Sequence, residues 1–199
     1  MIAFLALAMV GGSFWGLHYL RGYSSADPVT LPLVNETTSI KREASPFEPT
    51  HPGIPRVGDW KSFQEAAQRG DAVMVALSAD EINRLLAESS DTRGKVFVSI
   101  DGNIGRVQMS FPLQDVPFMK GRHLNGELKV QSAPDGDPAK VRIFDMRLNG
   151  QSVPEDFLDR TLFGYPPLRV LVTGWIDNQR IETFRIENGC AIGESCATL

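Results

Sequence analysis

The sequence predicts an α+β fold: a mainly antiparallel sheet with short helices packed on one face, preceded by an N-terminal transmembrane helix and a disordered spacer. An uncharged apolar run opens the chain, a proline-rich stretch follows, and the remainder alternates helical patterns with strand patterns joined by hairpin turns. Strands with hairpin connections among short helices are typical of α+β domains. We therefore divide the 199 residues into a transmembrane anchor or signal segment (1–23), a Pro/Ser/Thr-rich spacer (24–58) and a single α+β domain (59–199).

The first segment has the length and polarity of a membrane helix. Residues 2–20 carry no charged side chain, and a helix of that length reaches about 28 Å, close to the hydrocarbon thickness of a bilayer. Small residues at 24–26 would suit signal peptidase, but the run is long for a signal peptide. Trp15 and Tyr19 are suited to the membrane interface, which favours an uncleaved anchor.

Small residues recur one helical turn apart within this run, at Ala8, Gly12 and Gly16. That spacing lets two membrane helices approach closely, so it predicts a helix–helix contact and a weak homodimer. Arg21 follows the run and no basic side chain precedes it, which by charge alone favours a cytoplasmic domain. The spacer and two late cysteines favour the opposite, and we expect a single-pass membrane protein with an extracytoplasmic domain.

The spacer holds six of the 13 prolines of the chain. Proline-rich polar chain neither forms a continuous hydrogen-bond ladder nor buries enough apolar area to offset its entropy, so we expect it to be disordered. The prolines are Pro28, Pro32, Pro46, Pro49, Pro52 and Pro55.

The domain begins with two predicted helices that flank a strand. Asp59 can cap a helix over 60–69, and Gly70 can end it. Alternating apolar residues predict a strand over 73–77. The run "LSADEINRLL" then combines a capping box with an amphipathic stripe and predicts the second helix.

Strand patterns dominate the next part of the chain. Residues 95–101 and 107–113 alternate around the turn signal Asp101-Gly102-Asn103 and predict a hairpin. Residues 127–131 predict the next strand. Within 139–148 the apolar residues occupy odd positions at first (Val141, Ile143) and even positions afterwards (Phe144, Met146, Leu148). This shift by one residue predicts a β-bulge.

The end of the chain combines helix and hairpin signals. Residues 153–164 predict a short helix that begins at a proline. Residues 168–175 fit either a helix or a strand, and we favour the helix. Residues 181–193 predict a terminal hairpin around Asn188-Gly189.

The order of these features resembles a known family. The segments "LSADEINRLL", "PLQDVPFMKGRHLNGELKV", "LNGQSVPEDFL" and "IETFRIENGCAIGE", within residues 73–193, are similar in layout to small bacterial membrane-anchored proteins of uncharacterised function, the YpmS-like family. The resemblance implies an extracytoplasmic domain on one membrane helix, with an apolar sheet face related to lipid-handling folds. It carries over no functional residue.

Catalytic and metal-binding patterns are weak in this sequence, so we expect no cofactor and no metal. The stretch 150–154 lacks the second glycine of a nucleophile elbow. His123 is the single histidine of the domain and has no zinc-motif partner nearby. Asp101-Gly102-Asn103 and Asp135-Gly136-Asp137 are more typical of turns than of calcium loops.

One loop carries the most suggestive binding chemistry. Two apolar side chains, Phe118 and Met119, lie beside the cations Lys120 and Arg122, and Val116 precedes them. Such a loop in a tethered protein can contact lipid headgroups or a protein partner. The alternative is that the apolar pair plugs the core while the cations are solvated.

Cys190 and Cys196 lie close together near the C-terminus. A straight strand between them would hold their Cα atoms too far apart for a disulfide, whereas a turn at Gly193 would bring them together. A disulfide and two free thiols therefore both stay open.

These patterns predict a membrane-tethered, non-catalytic domain of the bacterial envelope that binds a lipid or an envelope protein partner. The formal net charge of −4 argues against nucleic-acid binding. The alternative is a membrane-proximal enzyme that uses His123 with a carboxylate such as Asp115 or Asp145.

Overall fold

The computed structural model describes residues 22–31, 53–114, 118–154, 170, 174 and 176–196. The elements whose bounds lie wholly within this part of the chain are the α-helices α1 and α2, the strands β1 to β8 and a 3₁₀ turn at Pro138–Lys140. The helices and strands, in chain order, are α1 (Trp60–Arg69), β1 (Val73–Ser78), α2 (Ala79–Glu88), β2 (Val96–Asp101), β3 (Ile104–Pro112), β4 (His123–Gln131), β5 (Arg142–Leu148), β6 (Gln151–Ser152), β7 (Thr183–Glu187) and β8 (Cys190–Ser195).

The strands form two antiparallel sheets, which corrects the expectation of one. The larger sheet has the order β2-β3-β4-β5-β6, and the smaller has the order β1-β8-β7. In the smaller sheet Val73 pairs with Ser195. A period-two pattern identifies a strand face but not the strand's partner, so the sequence signals did not separate the two sheets. The α+β class is confirmed.

The two helices predicted at the start of the domain, and their caps, are confirmed. The Asp59 carboxylate accepts a hydrogen bond from the Ser62 amide at 2.9 Å, and Gly70 ends α1 in the left-handed conformation, with φ of 84°. At α2 the capping box is complete, because Ser78 Oγ accepts from the Glu81 amide and Glu81 Oε2 accepts from the Ser78 amide. The caps satisfy amide groups that would otherwise lack partners.

The predicted hairpins and the bulge are also confirmed. Strands β2 and β3 pair through Asp101 and Ile104, and β7 and β8 pair through Glu187 and Cys190. Between β4 and β5 the register shifts where Leu128 faces two residues. One of these is Asp145, whose φ of 49° marks the bulged position.

Two large apolar clusters and a small third one, formed by Met74, Ala76 and Ile192, hold the described part of the domain together. The first lies on the five-stranded sheet, and the second lies among α1, β1 and Val141. The buried side chains of the first are Val96, Phe111, Leu113, Met119, Leu124, Leu128, Ile143, Met146 and Leu148. Those of the second are Phe63, Ala66, Ala67, Val73, Val75, Leu77, Val141, Ile176 and Ile181.

A buried side chain protects the outer edge of β2. Asn83 of α2 donates from Nδ2 to the Val98 carbonyl oxygen at 2.7 Å, and its Oδ1 accepts from the Val98 amide at 2.8 Å. The side-chain amide thus pairs with the edge strand as another strand would. An edge covered in this way is not open to pairing with a second chain.

Both ends of the predicted spacer are bonded to the domain. Ser25 forms an antiparallel bridge with His123, and Arg56 forms a parallel bridge with Met74 of β1. The Val57 amide donates to the Met74 carbonyl oxygen at 2.8 Å. The division of the chain at residue 59 stays a prediction, while the described ends of the spacer lie folded against the domain.

Several predictions concern residues outside the described ranges. Within those ranges no helix is long and apolar enough to cross a membrane. The apolar run over 2–20, with Ala8, Gly12 and Gly16, lies outside them, as does most of the helix predicted over 153–164. Residues 170, 174 and 176–178 are helical, in agreement with the helical alternative for this part of the chain.

Candidate functional site

The chain that directly follows the apolar run lies along the start of β4. We call residues 22–31 the strap. The Ser25 amide donates to the His123 carbonyl oxygen at 2.9 Å, and the His123 amide donates to the Ser25 carbonyl oxygen at 2.7 Å. The strap therefore adds a short strand-like pairing to the five-stranded sheet.

Asn125 holds the middle of the strap. This buried side chain donates from Nδ2 to the Asp27 carbonyl oxygen at 2.9 Å, and its Oδ1 accepts from the Val29 amide at 3.3 Å. The same oxygen accepts from Ser110 Oγ at 2.8 Å. Because the buried amide meets backbone donors and acceptors of the strap, its polar groups are satisfied and the strap path is fixed.

Arg122 holds the start of the strap. Its Nε donates to Ser24 Oγ at 2.6 Å, and its Nη2 donates to the Ser24 carbonyl oxygen. Ser24 is 2% exposed. Gln151 of β6 donates to the Gly22 carbonyl oxygen at 3.5 Å. Arg122, for which the sequence left contact with lipid, contact with a protein partner and solvation open, joins the strap to the domain.

A buried side chain and two backbone hydrogen bonds hold the chain just before Arg122. Met119 is 1% exposed and belongs to the core of the five-stranded sheet. Its carbonyl oxygen accepts from the Arg122 amide at 3.0 Å, and the Leu113 amide donates to the Arg122 carbonyl oxygen at 2.8 Å. The predicted role of Met119 as a core plug fits this placement, while Val116 lies outside the described residues.

Phe118 points away from the core that Met119 fills. It is 89% exposed, the largest value among the large hydrophobic side chains that the structure describes. Its φ of 63° is in the left-handed region, which bulky residues rarely adopt. Leaving such a side chain in water forgoes about 1.5–3 kcal/mol of burial. Lys120, also exposed, is the cation beside it.

The strap start and the Phe118 loop share one end of the sheet. Loop 118–122 precedes β4, and the turn at 149–150 between β5 and β6 lies at the same end. The opposite end carries the turn at 102–103, whose Gly102 carbonyl oxygen accepts from Gly189 at 3.0 Å. Loop 132–137, with two carboxylates, is also at this far end. The exposed Phe118 ring lies at the first of these two ends.

The structure does not bring His123 and Asp145 together. Asp145 accepts a hydrogen bond from Lys129 Nζ at 2.6 Å and lies 3.3 Å from Arg147 Nε. Lys129 is six residues beyond His123 on β4, about 20 Å along an extended strand. His123 Nδ1 is buried and has no hydrogen-bond partner. Asp115, the other proposed carboxylate, lies outside the described residues.

The bond from Lys129 is the main reason that the pKa of Asp145 is lowered. Arg147 acts in the same direction. Both cations stabilise the charged carboxylate, so the carboxyl group is held ionised rather than prepared to accept a proton.

The carboxylates of Asp135 and Asp137, in the loop before β5, stabilise a turn and cap the 3₁₀ turn that follows it. Asp135 accepts from the Asp137 amide at 3.2 Å, and Asp137 accepts from the Ala139 amide at 2.9 Å. Lys140 Nζ lies 2.6 Å from Asp135 and 3.2 Å from Asp137. Among the described residues no group of three metal-ligating side chains is close enough to hold an ion.

Cys190 and Cys196 are both free thiols. Strand β8 runs between them, so their Cα atoms are about 20 Å apart and the disulfide alternative is not formed. Burial raises the pKa of Cys190, and a hydrogen bond with Glu182 raises the pKa of Cys196.

A buried ion pair lies on the smaller sheet. Glu194 is 0% exposed, and its Oε1 lies 3.1 Å from Arg185 Nη2. Arg185 Nη1 lies 3.1 Å from Glu187. A buried carboxylate requires such pairing, and the strand pattern gave no sign of it. The strap contacts of Ser24 and Asn125 were missed for the same reason, because a polar residue on a strand or in a spacer usually faces water.

Comparison of the chain with protein-family models, with curated proteins and with solved structures finds no match. The resemblance to the YpmS-like family stays a prediction from the quoted motifs.

Proposed function

We propose that this chain is a membrane-tethered, non-catalytic envelope protein whose extracytoplasmic domain binds a lipid or a protein partner close to the bilayer. The observation that carries the proposal is the bonded strap. Arg122 bonds Ser24, which lies only four positions after Leu20, the end of the apolar run.

The strap sets how far the domain can be from an anchor. A flexible spacer of about 35 residues would have an end-to-end distance of roughly 30 Å. The four residue-to-residue steps from Leu20 to Ser24 span at most about 14 Å. With the strap bonded, the domain would therefore rest at the membrane surface and present one fixed end to it.

The described polar groups favour binding over catalysis. Asp145 is bonded to Lys129, Asp135 is bonded to Lys140, and Glu194 is paired with Arg185. The pKa of each thiol is raised, which disfavours the reactive thiolate. These groups are used to hold the fold.

The test is to purify the full chain from the membranes of its own host. The membranes are first washed with alkaline carbonate, which removes peripheral proteins, and the retained chain is examined by native mass spectrometry and lipid extraction. We expect retention, together with a lipid or protein bound in a defined ratio. The same sample exchanged into a second detergent is the control for loosely associated lipid. Loss of the chain in the wash, or a bare polypeptide in both detergents, would contradict the proposal.

A further inference from the structure

We propose that Phe118 and Lys120 form a membrane-contact tip that enters the headgroup region of the bilayer holding the anchor. The ligand is an anionic lipid surface. This inference rests on the proposed function, because it requires the anchor, and it adds the site and the chemical class of the ligand.

The exposure of the tip is built into the loop. Met119 is buried in the core, and the Leu113–Arg122 hydrogen bond closes the base of the loop. With its neighbour fixed inward and its own φ at 63°, Phe118 is directed outward. A Phe side chain that is 89% exposed beside a buried neighbour can enter the boundary between headgroups and acyl chains.

The tip lies beside the point where the strap meets the domain. Arg122 is both the last residue of the loop and the clamp on Ser24. Phe118 is four residues before Arg122, and Leu20 is four residues before Ser24, so each is within about 14 Å of the clamp. Phe118 therefore lies at the end of the domain that is nearest to residue 20 along the chain.

Charge favours the same orientation. Lys120 can approach anionic headgroups while the Phe118 ring enters the apolar boundary below them. At the opposite end of the sheet Asp135 and Asp137 are paired with Lys140, so the favourable charge contribution comes from Lys120. One ring and one cation bind weakly when free, but tethering makes the contact intramolecular and raises the effective concentration of lipid.

The test places a photoreactive aromatic residue at the tip of the full chain. p-Benzoylphenylalanine replaces Phe118 in one variant and Ile104 in the control variant. Ile104 is 36% exposed and starts β3 at the far end of the same sheet. Both positions are at the surface, so neither replacement disturbs the core. After irradiation in the host membranes, adducts are identified by mass spectrometry.

We expect lipid adducts at position 118 and several-fold fewer at position 104. In vesicles of phosphatidylcholine and phosphatidylglycerol, Lys120→Gln should lower the adduct yield about fivefold, and Lys120→Arg should leave it unchanged. Equal yields at the two positions would show that the tip makes no specific contact with the bilayer. Protein adducts at position 118 would show that the tip contacts a protein partner instead. Either outcome would overturn the inference. Loss of the chain from carbonate-washed membranes would instead refute the proposed function.

Discussion

Arg122 joins Ser24 through two separate groups of its guanidinium, although the two residues are 98 positions apart in the chain. One bond goes to the Ser24 hydroxyl and the other to its carbonyl oxygen. A lysine could not reproduce this arrangement, because its ammonium is a point charge rather than a planar fork. The pair connects the strap directly to the loop that carries Phe118.

Replacing Arg122 should release the strap. We expect Arg122→Ala to raise deuterium uptake over 22–31 and to lower the free energy of unfolding by about 2 kcal/mol, since bonds to a charged group are lost. Arg106→Ala is the matched control. Arg106 makes an exposed ion pair of 3.5 Å with Glu127, and its loss should cost under about 0.5 kcal/mol. Unchanged uptake in the Arg122 variant would show that the clamp does not hold the strap.

Removing the Asn83 amide should open the edge of β2. Asn83→Leu leaves the half-buried Val98 amide and carbonyl groups without partners, so we expect a loss of about 2–4 kcal/mol in urea unfolding. Arg84→Ala, an exposed neighbour on α2, should change the stability by less than about 0.5 kcal/mol. We also expect the Asn83 variant to self-associate in light scattering, because an uncovered edge can pair with another chain. An Asn83 variant as stable as the Arg84 variant would rule out this role.

The Asp145–Lys129 pair should make the stability depend on acid pH. Lys129 lowers the pKa of Asp145 in the folded state. The pair therefore stabilises the fold above roughly pH 4, the ordinary carboxyl value, and this contribution is lost as pH falls through the folded-state pKa. Asp145→Asn should flatten the acid limb of the urea-midpoint profile, and asparagine tolerates the left-handed backbone of the bulge. Lys129→Gln should have the same effect, and the double variant should show no further change.

The two cysteines should behave as slow-reacting thiols. Because the pKa of each thiol is raised, iodoacetamide should modify the folded chain slowly at neutral pH and faster as pH rises. The same chain unfolded in urea without reductant is the control, and both thiols should then react rapidly. An unreactive unfolded chain with a mass lower by two hydrogens would reveal a disulfide instead.

Local signals predicted the helices, caps, hairpins and bulge, since each depends on residues close in sequence. The Ser78–Glu81 capping box spans one helical turn, and the Asn188-Gly189 turn joins adjacent strands. What the sequence could not provide was partnership across the chain. Nothing near Val73 indicates Ser195, and nothing near Ser24 indicates Arg122, because such pairs form only when distant segments meet.

The candidate site was predicted in part for the same reason. Composition identified the loop that contains Phe118, Met119 and Lys120 as unusual for its apolar and basic side chains. Composition could not show that Met119 is buried and Phe118 exposed, since the path of the loop depends on the Leu113–Arg122 hydrogen bond at its base. It also treated Arg122 as free, because the Ser24 partner lay in a segment with no folding signal of its own.

The pairing of β1 with β8 bears on how the chain is made. Val73 pairs with Ser195, which lies 122 positions later in the chain. The smaller sheet therefore cannot close until Ser195 has been translated. Contacts of such long sequence separation slow folding. Until then β1, whose residues 73–77 are all buried in the finished fold, stays unpaired in the nascent chain. A product that terminates before Cys190 would keep that apolar strand uncovered and become a substrate for aggregation or proteolysis.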